Sequence, residues 1–171
     1  MELASLIRNI PDFPKKGIQF RDIESITENP AAFAHVIDEF ARAIKDQKVD
    51  KILVLDARGF LFGAALGYKL SLPIVMARKG GKLAGDCVSQ TYSLEYGEAT
   101  IELQNSAVSA GDQVLIVDDL LATGGTALAA AELINKLDAA VCQFAFVIEL
   151  TELDGRKKLG TSSQITSLVK F

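Results

Sequence analysis

The chain predicts an α/β fold, a mainly parallel sheet with helices on both faces. Three features point there: strand-like and helix-like segments alternate along the chain, Val114–Val117 is apolar without alternation, and that run leads into small residues and then a helical pattern. At 171 residues the length suits one domain with a real core and is short for two.

Taken in order, Ala31–Ile44 places Phe33, Val36, Ile37, Phe40 and Ile44 on one stripe and predicts a helix. His35, the one histidine, lies off that stripe and reads as a solvated helix residue, which leaves little room for Ser-His-Asp or metal chemistry. Ile52–Leu55 predicts a strand, Phe60–Leu70 a helix and Ile74–Ala77 a second strand, together a βαβ unit. Arg78–Gly85 combines three cations with three glycines and no apolar period, so it reads as a mobile basic loop. Tyr92, Leu94 and Tyr96 alternate with Thr91, Ser93 and Glu95; beyond Gly97, Ala99, Ile101 and Leu103 keep the period of two, which predicts a hairpin. Val114–Val117 is a buried strand. Leu128, Ala131, Leu133, Ile134 and Leu137 fall roughly on one face of the helix after it. Strands at Gln143–Leu150 and near Gln164–Phe171 complete the set.

Composition narrows the function. A formal charge of −4 speaks against nonspecific nucleic-acid binding as the main role. Cys87 and Cys142 are far apart without a C-x-x-C, which suggests neither a zinc knuckle nor a disulfide framework and fits a reducing cytoplasm. The first residues, MELASLIRNIPDF, lack a long apolar stretch, so neither a signal peptide nor a membrane span is expected there. No G-x-x-x-x-G-K-[ST] pattern occurs, which excludes a P-loop kinase.

The segment VLIVDDLLATGGTA, 114–127, holds the chemistry. Gly124 and Gly125 allow close backbone approach, and the first amides of the following helix have no internal partners and suit an anion. Thr123 and Thr126 add hydroxyl donors, so a phosphate could be held without a cation from this loop. Two adjacent carboxylates, Asp118 and Asp119, would repel that phosphate unless something lies between; vicinal ribose hydroxyls and a divalent cation meet the need. The plainer reading, Asp as a helix cap, needs one Asp and no glycine pair. In LDARGF, Arg58 offers a planar fork and Gly59 close approach at another helix start, a place for pyrophosphate or an ordinary surface turn.

With those residues in view, the chain resembles the type I phosphoribosyltransferases, whose donor signature is a hydrophobic strand, two acids and a loop ending T-G-G-T. DDLLATGGTA is most similar to the branch that accepts adenine. GIQFRDI (17–23), DARGFLFG (56–63), RKGGKL (78–83), YSLEYG (92–97) and GRKKL (155–159) match further blocks in the same order, so the resemblance spans nearly the whole chain. Asp56 stands where many members carry Glu, and Gly81 and Cys87 fall in a variable loop.

The resemblance implies a fold with a small hood drawn mainly from about residues 1–30 and a flexible flap at about 79–97. It also implies transfer of a phosphoribosyl group from phosphoribosyl pyrophosphate to adenine, giving AMP and pyrophosphate, in a homodimer. Asp118, Asp119, Leu120, Ala122, Thr123, Gly124, Gly125 and Thr126 would hold the phosphoribosyl group. Asp56, Ala57, Arg58 and Gly59, with a non-proline cis peptide around Asp56 and Ala57, would hold pyrophosphate, with Lys79 and Lys82 as candidate loop cations. Gln19, Phe20 and Arg21 would read adenine, Phe20 on the purine face and Leu120 as the opposite wall, with ordinary core packing as the lesser alternative for Phe20. Glu95 would manage the adenine proton, with Tyr96 beside it in the flap; periodicity alone leaves Glu95 facing solvent as readily. Glu95, Arg58 and Asp119 are thus the catalytic candidates. Mg²⁺ would be bound through substrate and water, without direct protein ligands. Two rivals remain: a relative with another nucleobase as acceptor, and a non-catalytic sensor of the donor that regulates transcription, for which no extra domain or basic helix is present.

Overall fold

The runs that predict a doubly covered sheet form one. The computed structural model describes residues 1–93 and 97–171, and Leu94, Glu95 and Tyr96 lie outside the described residues. In chain order the elements are β1 Arg8–Pro11, β2 Gln19–Asp22, α1 Glu24–Thr27, α2 Pro30–Ala43, β3 Lys51–Leu55, α3 Gly59–Leu70, β4 Ile74–Lys79, β5 Cys87–Ser93 and β6 Glu98–Gln104. There follow β7 Gln113–Leu121, α4 Gly125–Lys136, β8 Ala140–Glu149, α5 Gly155–Leu159 and β9 Gln164–Lys170, with 3-10 turns at Leu3–Ser5 and Thr151–Leu153.

Seven strands form the main sheet in the order β5-β6-β4-β3-β7-β8-β9. The run from β4 to β9 is parallel, and the β5–β6 hairpin joins antiparallel through Arg78 opposite Glu102 and Lys79 opposite Ile101. The sequence leads from β3 outward to β4 on one side, and β7 lies on the other. The order therefore reverses between β3 and β7, where the carboxyl ends of parallel strands leave a crevice.

Alternation within the buried strands sorts side chains to two cores. Ile52, Val54, Leu115 and Val117 face α1, α2 and α3. Leu53, Leu55, Val114 and Ile116 face α4 and α5. Helix α2 starts one residue before the expected position because Pro30 sits in its first turn and the Asn29 side chain accepts from the amides of Ala31 and Ala32. His35 is half-buried rather than solvated, with Nε2 3.9 Å from Glu39 Oε1. Helix α3 lies directly on the sheet: a Cβ at Gly63 would stand 2.0 Å from Val54 Cγ1, and one at Gly67 2.5 Å from Ile74 Cγ1. The buried face of α4 runs through Ala127, Ala130, Leu133 and Ile134, shifted from the expected stripe, since two small alanines let the helix approach the sheet closely.

Three boundaries differ usefully from those expected. Arg78 and Lys79 belong to β4 rather than to a mobile loop, because β6 supplies backbone partners there; charge composition carries no information about a partner strand. Strand β7 runs four residues past Val117, to Leu121, and carries both acids. Pairing with β3 ends at Val117, but β8 still pairs with Leu120 and Leu121. An antiparallel ribbon, β1 with β2, stands apart from the main sheet with Ile10 opposite Phe20. Among the described residues no helix is long and apolar enough to cross a membrane.

Candidate functional site

At the crevice between β3 and β7 lies a cavity of about 270 Å³ whose lining includes Asp56, Ala57, Arg58, Lys79, Asp118, Asp119, Leu120, Ala122 and Thr126. Residues from three stretches of sequence, 56–58, 79 and 118–126, thus meet at one place. A smaller recess of about 70 Å³ adjoins it, lined by Thr123, Gly124, Gly125 and Thr126 and sharing Asp118, Leu120 and Ala122 with it. About 10–15 Å³ of such space holds one water, so the recess has room for a small polyatomic group.

The recess is built on the start of α4. Gly124 is its N-cap, at φ +78°, and among the described residues no side chain caps the helix. That left-handed conformation favours glycine, and a Cβ would stand 2.7 Å from the carbonyl oxygen of Gly155. The contact is reciprocal: a Cβ at Gly155 would be 2.1 Å from Ala122 O. Helix α5 therefore braces the loop from behind. It is fastened in turn by Arg156, which donates to both oxygens of Glu149 at 2.9 and 2.6 Å and to Ile165 O at 3.1 Å. Each group favours the charged form of the other; the Glu149 carboxyl lies below its usual range and the Arg156 guanidinium above its own. On its other side, Thr126 Oγ1 donates to Tyr92 Oη at 3.0 Å.

The two acids have different surroundings. Asp119 is buried and pairs with Arg58, Oδ2 to Nε 2.9 Å. Asp118 remains half-exposed as a residue, but protein atoms crowd its carboxyl, and Oδ1 accepts from the Asp119 amide at 2.9 Å. Burial first, then the Asp119 charge, pushes the Asp118 carboxyl well above its usual range. Gly59 explains part of that crowding, since a Cβ there would stand 2.9 Å from Asp118 Oδ1. The Asp56–Ala57 peptide is cis, and Asp56 Oδ2 is 3.2 Å from Arg78 Nε.

A second cavity, about 300 Å³, lies under the β1–β2 ribbon and is lined by Ile10, Phe13, Phe20, Asp22, Ile23, Glu24 and Arg58. Phe13 and Phe20 meet edge to face at 5.0 Å, and the Arg58 guanidinium lies 5.6 Å from the Phe20 ring centre. Arg58 thus borders both cavities. Gln19 Oε1 accepts from Asn9 at 2.6 Å. The Arg21 guanidinium stacks on Phe171 at 4.0 Å, with Nε buried and without a hydrogen-bond partner among the described residues.

Not every candidate converges. Lys82 is exposed and lines neither cavity; its carbonyl instead accepts from Arg78 at 3.2 Å. Leu120 borders the first cavity and the recess but not the cavity under the ribbon. Glu95 and Tyr96 fall outside the described residues. Tyr92, Arg78 and Gly155 were not singled out by their residue types. A tyrosine in an alternating strand and a glycine before a basic run carry no local signal, and only the partner segment reveals them.

The arrangement offers an uncapped helix start for an anion, carboxylates for hydroxyl donors, a guanidinium and an ammonium for a second anion, and an aromatic recess for a flat ring. The family model for the phosphoribosyl transferase domain matches residues 22–165. The chain is 48% identical to the adenine phosphoribosyltransferase of Acaryochloris marina over 171 residues, all of both chains. It superposes on the crystal structure of adenine phosphoribosyltransferase from Thermoanaerobacter pseudethanolicus with a TM-score of 0.96 at 49% identity, covering 99% of this chain and 98% of that one. The Saccharomyces cerevisiae adenine phosphoribosyltransferase, crystallised with an imino-altritol bisphosphate and adenine, matches with a TM-score of 0.92 at 42% identity, covering 98% and 96%.

Proposed function

The chain belongs to the phosphoribosyltransferase family, and on that premise we propose that it moves the phosphoribosyl group of 5-phosphoribosyl 1-pyrophosphate to adenine, releasing AMP and pyrophosphate in purine salvage. One observation carries the assignment of parts: two carboxylates stand between the glycine-rich start of α4 and the Arg58 loop, in one cavity.

Thr123, Gly124, Gly125 and Thr126 hold the 5′-phosphate with backbone amides and hydroxyls, supported by the absence of a capping side chain at Gly124. Asp118 and Asp119 accept from the ribose hydroxyls, with Leu120 and Ala122 closing the wall. Ala57, Arg58, Gly59 and Lys79 hold the pyrophosphate; Arg58 exchanges its Asp119 partner for a phosphoryl oxygen, and Asp56 acts through Arg78. Phe20 packs on the purine, and the main chain of Gln19–Arg21 reads its edge. A 6-oxo purine would leave donors and acceptors unpaired there, at about 1–3 kcal/mol each.

At the anomeric carbon the bond to pyrophosphate oxygen breaks, a bond to adenine nitrogen forms, and the nitrogen's proton leaves to a carboxylate, for which Glu95 is the candidate. The buried acids also face positive charge developing on the sugar ring. Carboxylate oxygens are the hard donors that suit Mg²⁺ held through water and substrate, and Mg²⁺ when bound spreads the charge of the departing pyrophosphate. The whole chain acts as one unit, with β1–β2 as hood and the segment around 79–97 as flap. We place it in the cytoplasm, a reading supported by the free thiols of Cys87 and Cys142. Pairing of two copies is supported by the exposed apolar side chains of Leu61 and Tyr68 on α3 and Ile74 and Met76 on β4.

Incubation with adenine, labelled donor and Mg²⁺, followed by chromatography, tests the assignment. Labelled AMP from adenine, with little product from guanine, hypoxanthine or orotate, is the expected result. Product with another base in adenine's place would reassign the acceptor, and none with any base would remove the enzymatic reading.

A further inference from the structure

The phosphate recess has a second wall besides α5, and it comes from the edge hairpin. Tyr92 on β5 presses its ring on the loop: a Cβ at Gly125 would lie 3.2 Å from Tyr92 Cδ2 and 3.7 Å from Ser93 O. Its hydroxyl reaches Thr126 Oγ1 at 3.0 Å, and both residues border the main cavity. The strand is also tied to α4, because Lys136 Nζ donates to Ser89 O and to Gln90 Oε1, both at 2.7 Å.

We propose that Tyr92 is a positioning residue that aims the Thr126 hydroxyl at the donor's 5′-phosphate. The argument is a proton count and rests on the reading of Gly124–Thr126 as the phosphate cradle. A threonine hydroxyl has one proton to give and lone pairs with which to accept. Thr126 gives that proton to Tyr92. A phosphoryl oxygen can only accept, so on binding it takes the Thr126 proton, and Thr126 Oγ1 then accepts from the phenol. Tyr92 is suited to end this chain: its phenol is a better proton donor than an alcohol, and its ring is already held against Gly125. Donors in series polarise one another, which strengthens the terminal bond to the anion. Without the phenol hydroxyl, Thr126 would have to be ordered by the ligand itself, and part of the binding energy would go to that.

Calorimetric titration of ribose 5-phosphate and, separately, pyrophosphate into wild type, Tyr92→Phe, Thr126→Ala, Thr126→Ser and the Tyr92→Phe/Thr126→Ala and Tyr92→Phe/Thr126→Ser double variants tests the idea. Phenylalanine keeps the ring on Gly125, so the fold is retained. We expect Tyr92→Phe to weaken ribose 5-phosphate by about 3- to 10-fold, the range for one hydrogen bond, with pyrophosphate affinity unaltered. Its effect should disappear in the Thr126→Ala background and persist in Thr126→Ser, which retains the hydroxyl. In turnover assays the KM for the donor should rise by a larger factor than kcat falls. If Thr126→Ala weakens ribose 5-phosphate and Tyr92→Phe does not, the positioning role is wrong and the cradle stands. Equal losses from Tyr92→Phe with and without Thr126 would mean that the ring acts by packing, and also overturn it. Unchanged affinity in Thr126→Ala would remove both the cradle reading and the role built on it.

Discussion

Gly155→Ala isolates the brace behind the phosphate loop. Gly155 begins α5 outside the left-handed region, so alanine meets no backbone strain there; the whole effect must come from space. The new Cβ would lie 2.1 Å from Ala122 O, where ordinary contact begins near 3.4 Å, and 3.0 Å from both Gly124 N and Leu121 Cδ1. About 1.3 Å must therefore open between α5 and the loop. Helix α5 is the stiffer side, because Arg156 is clamped on Glu149 and Ile165 and Leu159 is buried in the core. The loop moves, and with it the amides proposed to hold the phosphate. Overpacking of this kind costs about 1–3 kcal/mol, or roughly 2–10 °C in Tm for a chain of this size. A displacement of about 1 Å in a positioning loop can lower turnover about 100-fold. Scanning calorimetry reads the first effect, and an AMP-formation assay with titration of ribose 5-phosphate reads the second. Gly160→Ala is the control: φ is +75° and ψ −165°, a conformation almost confined to glycine, with nothing within 4 Å of a Cβ, so it should lose about 1–3 kcal/mol of stability to strain and no ligand affinity. Normal ribose 5-phosphate binding by Gly155→Ala would refute the brace.

Arg58→Ala should lower kcat about 10²- to 10³-fold, the usual loss of one charged donor at the reacting group, with the fold intact because the side chain is 42% exposed; near-normal AMP formation would count against its role. Asp118→Asn should stabilise the fold at neutral pH while impairing turnover. The native carboxyl holds its proton to higher pH than the unfolded one, so wild type loses stability as pH rises through and above the ordinary value of 3.8, and asparagine removes that loss. Tm measured against pH should show the two proteins converging below that value; a less stable variant at pH 7 would contradict the burial argument. Glu149→Gln acts with the opposite sign. The pair with Arg156 adds stability that is present above the ordinary value of 4.5 and is lost as pH falls through the lower native value, so the variant should be less stable at neutral pH and show a shallower acid transition. An identical acid limb in both proteins would exclude the pair as a contributor.

Period and residue size made much of this legible beforehand. Val114–Val117 has no polar alternation because both faces are covered, and the two cores divide its side chains alternately. Phe40 and Val36 mark the buried face of α2 because only one side of that helix meets protein. The glycine-rich loop after β7 was legible as a candidate site for a similar reason: paired glycines, hydroxyls and adjacent acids are consecutive in the chain, and each is unusual where it stands. Lys82 shows the limit. Its charge suited a second anion, yet it is exposed and away from the cavity, since composition cannot say which way a loop turns.

Local sequence, then, determined the class of fold, the order of the main-sheet strands and the three long helices along the chain, and the glycine-rich loop after β7 as a candidate site, because these follow from patterns within a dozen residues. Tertiary structure alone decided that β7 continues past its neighbour β3 so that Asp118 and Asp119 project at the crevice, that Arg78 is strand and not loop, and that Tyr92 and Gly155 wall the same recess from opposite sides. Each of these depends on which distant backbone lies alongside. Pairing and contact are properties of two segments, and neither segment carries them by itself.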